Sequence, residues 1–360
     1  MPTRTYKIKR FTGDKLDAVT KANDIISQYM DQGYKLTVRQ IYYRFVAADL
    51  FPDDRKYSWT GSKWIEDPNG TKNAQPNYTW LGDILSDARM GGYVDWESIE
   101  DRTRELEKVP HWDSPADIVH TCGVAFRLDK WVDQKNRVEV WVEKDALEGI
   151  VKKSAHAMDV SAFSCRGYTS MSSMWEAAQR LKEYVMAGQS PIILHLGDHD
   201  PSGIDMTRDI QERLNHFLYV DYYHEVVKGS ASFKSKDAYD HVRKSIKDRT
   251  GHDGIRIRRI ALNMDQVEEY NPPPNPAKST DSRFKKYVRQ YGPESWELDA
   301  LEPTVLDSLI TDTIAEYRAD DKYNALELKE DKHRDDLSRA SKHWDGAVVP
   351  ALAKIKDKRK

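Results

Sequence analysis

Two stretches, Val138-Glu-Val-Trp-Val-Glu-Lys144 and Pro191-Ile-Ile-Leu-His-Leu-Gly-Asp-His-Asp-Pro-Ser-Gly203, decide how the chain is expected to fold. Residues 138–142 have the composition of a buried strand. Residues 191–196 are apolar except for His195, the pattern of a central strand in a parallel sheet covered on both faces. Between them, 145–158 reads as a helix and 160–165 as a short strand, and Ser173 with Glu176 caps a helix running to Gly188. Beyond them, Ser202 and Asp205 mark the start of a helix with Met206, Ile210, Leu214 and Phe217 on one face, and 255–262 reads as a fourth strand. This alternation implies an α/β, Rossmann-like domain with a parallel sheet over residues 136–265.

Working outward, residues 14–32 have helical periodicity, with Leu16, Val19, Ile26 and Met30 on one face and Gly33 as the stop. A second helix starts at Thr37, where Thr37 and Gln40 have capping-box spacing and Leu36 and Ile41 hold the hydrophobic-staple positions. Residues 51–80, rich in Trp, Pro, Asn and Gly, read as an irregular excursion or a β-ribbon, and charged helical sequence follows to about Pro110. The expected organisation is an N-terminal domain over 1–110, a connector over 111–135, the sheet domain, and a helical C-terminal extension over 266–360 with a basic tail. Asn271-Pro-Pro-Pro-Asn-Pro276 marks a boundary or surface loop.

A chain of 360 residues is long enough for two or three domains, and 39% hydrophobic with 32% charged residues fits a soluble globular protein. No apolar run approaches the roughly 20 residues that span a bilayer, so no membrane partner is expected. The basic start has no apolar stretch behind it and does not read as a secretory signal. Two cysteines, Cys122 and Cys165, cannot make a four-ligand zinc site, and a reducing cytoplasm is the expected location. A net charge of −3 argues mildly against nucleic acid, but basic clusters at 4–10, 256–259, 278–289 and 354–360 are offset in that sum by the acidic stretch 95–107. The local field outweighs the total.

Glu143 ends one strand, and Asp198 and Asp200 end another. In an open parallel sheet the carboxyl ends of neighbouring strands form the ligand crevice. Three converging carboxylates repel one another and raise each other's pKa, and a hard divalent cation relieves this, with Mg²⁺ or Mn²⁺ suiting an all-oxygen site. An Asp-x-Asp at a strand end also serves as a turn or helix cap, and the paired glutamate favours the metal.

The second helix reads Val38-Arg-Gln-Ile-Tyr-Tyr-Arg-Phe-Val46. At about 100° per residue, Val38, Ile41, Tyr42, Phe45 and Val46 form one apolar stripe. Tyr43 falls off it, with Arg39 one turn earlier on the same side, so Tyr43 is expected to be an exposed phenol beside a guanidinium. A tyrosine ionises near pH 10, and its phenolate costs roughly 4 kcal/mol at pH 7. A neighbouring arginine, with a metal or a base, lowers that cost and stabilises a phosphate under attack. Surface packing is the alternative for such a pair.

Together these features resemble the A subunit of type IIB DNA topoisomerase VI and its meiotic double-strand-break relative. Arg39-Gln-Ile-Tyr-Tyr43 resembles the family's Arg-Asp-Ile-aromatic-Tyr helix, whose last tyrosine, the nucleophile, falls on Tyr43. Glu143 matches the glutamate of the family's Toprim domain, and Asp198-His-Asp-Pro-Ser-Gly203 resembles its Asp-x-Asp-Pro-x-Gly segment. Gly167-Tyr-Thr-Ser170 and Trp296-Glu-Leu-Asp299 resemble two further family segments. The resemblance implies an N-terminal winged-helix (CAP-like) domain, a Toprim domain, double-stranded DNA as substrate, and a homodimer in which Tyr43 faces the metal cluster of the other chain. The implied product is a double-strand break with tyrosine linked to each 5′ end. Gln40 stands where the family has Asp, residues 51–110 match no family segment, and no Gly-x-x-x-x-Gly-Lys-Ser/Thr site for ATP is present. The chain thus resembles a stand-alone mini-A relative of the sort found on phages and mobile elements, and any ATPase or regulatory partner is a separate protein.

Two other readings stay open. One is a metal-dependent nuclease in which the carboxylates activate water; the other is a non-enzymatic DNA-binding or recombination-accessory protein. Arg166, Arg256, Arg258, Arg259, Lys285 and Lys286 are candidate DNA contacts, against solvated surface for any one of them. His199 is either an orienting group or a polar loop residue.

Overall fold

The computed structural model describes residues 3–99, 109–165, 169–227 and 236–356. The chain forms two compact units, Met1–Arg104 with Val138–Ile314, and Glu105–Arg137 with Ala315–Lys360. Among the described residues no helix is long and apolar enough to cross a membrane.

The first unit opens with helix α1 (Asp14–Asp31), which buries Ala18, Val19, Ala22, Ile26 and Tyr29. Leu16, expected on that face, is exposed, because the buried stripe runs through the small residues Ala18 and Ala22. Helix α2 (Val38–Ala47) begins with the expected capping box: Gln40 N donates to Thr37 Oγ1 (3.3 Å) and Thr37 N donates to Gln40 Oε1 (2.8 Å). The staple residues Leu36 and Ile41 are both buried. An antiparallel hairpin, β1 (Tyr57–Trp59) with β2 (Trp64–Glu66), follows, then helix α3 (Gln75–Gly91). The ribbon anticipated over 51–80 is thus confined to its middle, and its last residues are already helical. Gly92 stops α3 in the left-handed region (φ 78°), where a residue without Cβ fits. Residues 100–108, part of the expected charged helix, lie outside the described residues.

Helix α4 (Pro115–Ala125) belongs to the second unit. The sheet unit then runs β3 (Asn136–Val142), α5 (Glu148–Ala157), β4 (Ser161–Ser164), α6 (Met171–Met186), β5 (Ser190–Leu196), α7 (Pro201–Tyr222), α8 (Lys236–Thr250) and β6 (Arg256–Ala261). The strands form a four-stranded parallel sheet in the order β4-β3-β5-β6, so the mixed α/β architecture is the one expected. All seven residues of β5 are buried, as a central strand requires. Trp141 and Ile193 of the sheet pack with Leu181 of α6, Ile210 and Leu214 of α7 and Val242 of α8. Each such side chain contributes about 1.5–3 kcal/mol through burial.

Two helix starts differ from expectation. Ser170, not Ser173, caps α6, accepting from Ser173 N at 3.2 Å. Asp200, not Ser202, caps α7: its Oδ1 accepts from Gly203 N at 2.6 Å, and Pro201 occupies the first helical position. A carboxylate facing free N–H groups at the positive end of the helix, followed by a proline with no N–H to strand, outcompetes a serine two residues later.

Helix α9 (Met264–Tyr270), strand β7 (Asn275–Pro276), helix α10 (Phe284–Tyr291), strand β8 (Glu294–Ser295), a 3₁₀ turn at Leu298–Ala300 and helix α11 (Pro303–Ala315) complete the first unit. The stretch 266–360 is therefore not one extension: its first part packs with the sheet unit. Its remainder, helices α12 (Asp320–Lys342) and α13 (Val349–Lys356), joins α4 in the second unit. Residues 111–135 do more than connect. Helix α4, capped by Ser114, lies along α12, and Gly123 permits the approach, since a Cβ there would meet Leu337 at 3.2 Å.

Candidate metal centre

The carboxyl ends of β3 and β5 are tied together by Glu143 N donating to Leu196 O at 2.9 Å. Glu143 Oε2 in turn accepts from Asp198 N at 3.1 Å. The chain between Gly197 and Gly203 folds too tightly for a side chain at Gly203. A Cβ on Gly203 would collide with the Asp198 carbonyl, and one on Gly197 would come within 2.8 Å of Glu143 Oε2. Arg259, from β6, reaches under this loop and donates to the carbonyls of Gly197 (2.8 Å), Asp198 (2.6 Å) and Gly203 (2.9 Å). Burial lowers its pKa to about 10.

A second segment comes down onto this loop. His199 and Trp296 exchange both backbone hydrogen bonds, at 2.8 and 3.0 Å, and Leu298 N donates to Asp198 Oδ1 at 2.8 Å. The buried His199 ring packs edge-on to Tyr287, Tyr291 and Trp296, with Nδ1 2.7 Å from Tyr287 Oη. Burial pushes its pKa down to about 4, so it is a neutral tether at pH 7. Through it the strand-end loop holds Glu297 and Asp299 beside Asp198. Ligand atoms of Asp198, Glu297 and Asp299 all lie within 4.8 Å of one another, and these three are able to hold a metal ion.

The electrostatics agree with crowded carboxylates short of solvent. Burial, reinforced by Glu143, Glu297 and Asp299 against the pull of Lys144, pushes Asp198 up to about 8. Burial also raises Glu143. Burial works to raise Glu297 as well, but Lys144 and Arg39 outweigh it and hold that carboxyl below its usual range. Lys144 Nζ lies 3.0 Å from Asp198 Oδ1 and 3.0 Å from Asp299 Oδ1, and it also hydrogen-bonds Glu297.

Arg39 and Tyr43 of α2 stand against the same acids. Arg39 Nη2 donates to Glu297 Oε2 at 2.7 Å and to Tyr43 Oη at 3.4 Å, while Nε lies 3.1 Å from Asp299 Oδ2. The structure corrects the expectation of an exposed phenol: Tyr43 is 3% exposed. Its pKa is raised, by burial first and then by Asp299 and Glu297. A single apolar stripe implies one buried face, whereas α2 packs against α1, α3 and the 298–300 turn. These acids belong to the tyrosine's own chain, whereas the resemblance implied those of a partner.

Of the expected carboxylates, Glu143 and Asp198 are brought together, while Asp200 is engaged as the cap of α7. Glu297, Asp299 and Lys144 were given no role from sequence. Trp296-Glu-Leu-Asp299 stood out as a segment, and its Glu-x-Asp spacing was the available signal. Among the basic candidates, Arg259 is turned inward onto carbonyls. Arg256 lies near Ser190, at 3.4 Å, and Arg258 is exposed on β6. Lys285 and Lys286 are exposed on α10, the helix whose Tyr287 meets His199, and Arg166 lies outside the described residues. No family model matches this chain, and no curated protein and no solved structure matches it.

Proposed function

We propose that the chain cleaves double-stranded DNA by metal-dependent tyrosine transesterification, as a stand-alone relative of the topoisomerase VI A subunit. On this reading residues 1–110 act as a winged-helix-like domain carrying Tyr43, the parallel sheet is a Toprim-like domain, and the working form is a homodimer. The observation that carries it is Arg39, whose guanidinium joins Tyr43 Oη to Glu297 and Asp299 at the edge of the cluster.

The donor set, carboxylate oxygens alone, fits Mg²⁺ or Mn²⁺, held by Asp198, Glu297 and Asp299 with Glu143 adjoining. Bound there, a hard divalent ion would supply positive charge to offset the negative charge building on a phosphate under attack. Tyr43 Oη forms the new bond to phosphorus, the bond to the 3′ oxygen breaks, and the phenol's proton ends on that oxygen, leaving a 5′-phosphotyrosyl link. Arg39 steadies the phosphate oxygens. As packed, Tyr43 is closed to a duplex, so cutting requires α2 to part from the 297–300 segment.

The burial of Tyr43 favours a second reading, in which the same acids promote hydrolysis by water and the tyrosine is structural. Incubation with supercoiled plasmid and Mg²⁺ or Mn²⁺, quenched in detergent, tests both. Transesterification leaves protein on 5′ ends, lost in Tyr43→Phe and Asp198→Asn. Free ends that persist in Tyr43→Phe establish hydrolysis, and an intact plasmid under every metal defeats both.

A further inference from the structure

Lys144 follows Glu143 at the end of β3, and its side chain turns into the acidic cluster. An ammonium has three N–H donors. The three carboxylates within its reach are Asp198, Glu297 and Asp299, the same three side chains whose oxygens converge. The lysine side chain is largely buried at 17% exposure, and Asp299 beside it is fully buried. Such a trio without a cation is costly to keep ionised. A divalent ion binds carboxylate oxygens at about 2.1 Å for Mg²⁺, far inside the spacing of an ammonium, so the two compete for the same oxygens.

We infer that Lys144 is the resident counter-ion of this centre and that a divalent ion enters only as the ammonium leaves. The inference rests on the reading of Asp198, Glu297 and Asp299 as metal ligands. Paired with all three acids, Lys144 fastens the 296–300 segment to the strand ends. Arg39 is the internal comparison, since it pairs with Glu297 and Asp299 but not with Asp198.

The test titrates Mn²⁺ into the full chain and follows free ion by electron paramagnetic resonance. Lys144→Gln is expected to bind at least ten-fold tighter than wild type, and Arg39→Gln to gain less. A second measurement needs no variant: mass spectrometry follows acylation of Lys144 in the wild type, expected to quicken at least ten-fold at saturating Mn²⁺. Equal or weaker binding by Lys144→Gln, or an acylation rate unchanged at saturation, overturns the role of the lysine and leaves the metal reading standing. Absence of Mn²⁺ binding by any of the chains removes both.

Discussion

Arg39 Nη2 and Glu297 Oε2 lie 2.7 Å apart, a pair joining residues 258 positions distant in sequence. The contact fastens α2 to the segment that carries two of the three converging carboxylates. With the arginine side chain 45% exposed, solvent screens the pair, so Arg39→Lys is expected to cost only about 1 kcal/mol. Lysine lacks the planar fork that reaches Glu297, Asp299 and Tyr43 together. Urea denaturation of Arg39→Lys measures that cost, and Arg39→Ala, Glu297→Gln and the double variant measure the coupling; strictly additive losses would show the pair to be incidental.

Gly203 is the tightest point of the acidic loop. A Cβ there would run into the Asp198 carbonyl and stand 3.1 Å from Glu143 Oε2. Gly203→Ala is expected to lose about 1–3 kcal/mol of stability, because backbone rather than a flexible side chain must yield. Gly346→Ala, where a Cβ meets nothing within 4 Å, is the control and should stay within about 0.5 kcal/mol of wild type in thermal melts.

The parallel sheet was legible because buried strands declare themselves: the run at 191–196 became β5, and the strand ends placed Glu143 beside Asp198. The helix carrying Tyr43 was legible too, down to its capping box. Periodicity failed where an element is covered on two sides, as α2 is, because it reports one buried face and is silent about the other. Asp200 is a different case: a carboxylate there suits a metal or a helix cap, and the cap shows only once Gly203 N is in place. Glu297 and Asp299 reach Asp198 through a loop pairing, His199 with Trp296, that no local pattern encodes. The second unit hid for a similar reason: α4 lies far from α12 in sequence.

His195 carries a pH signature that can be isolated. It is fully buried, with Nδ1 2.9 Å from Thr207 Oγ1, and burial, helped by Arg259, pushes its pKa from 6.5 to about 3. A depressed folded pKa means the unfolded chain takes up the proton first. The stability this represents is present above 6.5 and drains away as pH falls toward 3. Each pH unit within that window is worth up to about 1.4 kcal/mol. Urea melts at pH 7 and pH 5 should show wild type losing more than His195→Gln; equal losses would mean that the ring already protonates normally in the fold.

In the second unit, Lys130 and Glu330 form a buried pair at 3.0 Å, with side chains 7% and 3% exposed. Glu330 Oε2 also accepts from Leu128 N at 2.7 Å, and Oε1 pairs with Arg334 at 2.9 Å, so one carboxylate holds α12 to the chain that follows α4. Removing it takes a buried carboxylate partner from Lys130 and leaves the part-buried Leu128 N–H without this acceptor. Glu330→Ala is therefore expected to cost about 3–5 kcal/mol, whereas replacing both partners, Lys130→Met with Glu330→Leu, should cost less because the buried ammonium is removed together with the buried carboxylate. The comparison is made by denaturant unfolding. A double variant as unstable as Glu330→Ala would assign the loss to the Leu128 and Arg334 bonds rather than to the Lys130–Glu330 pair.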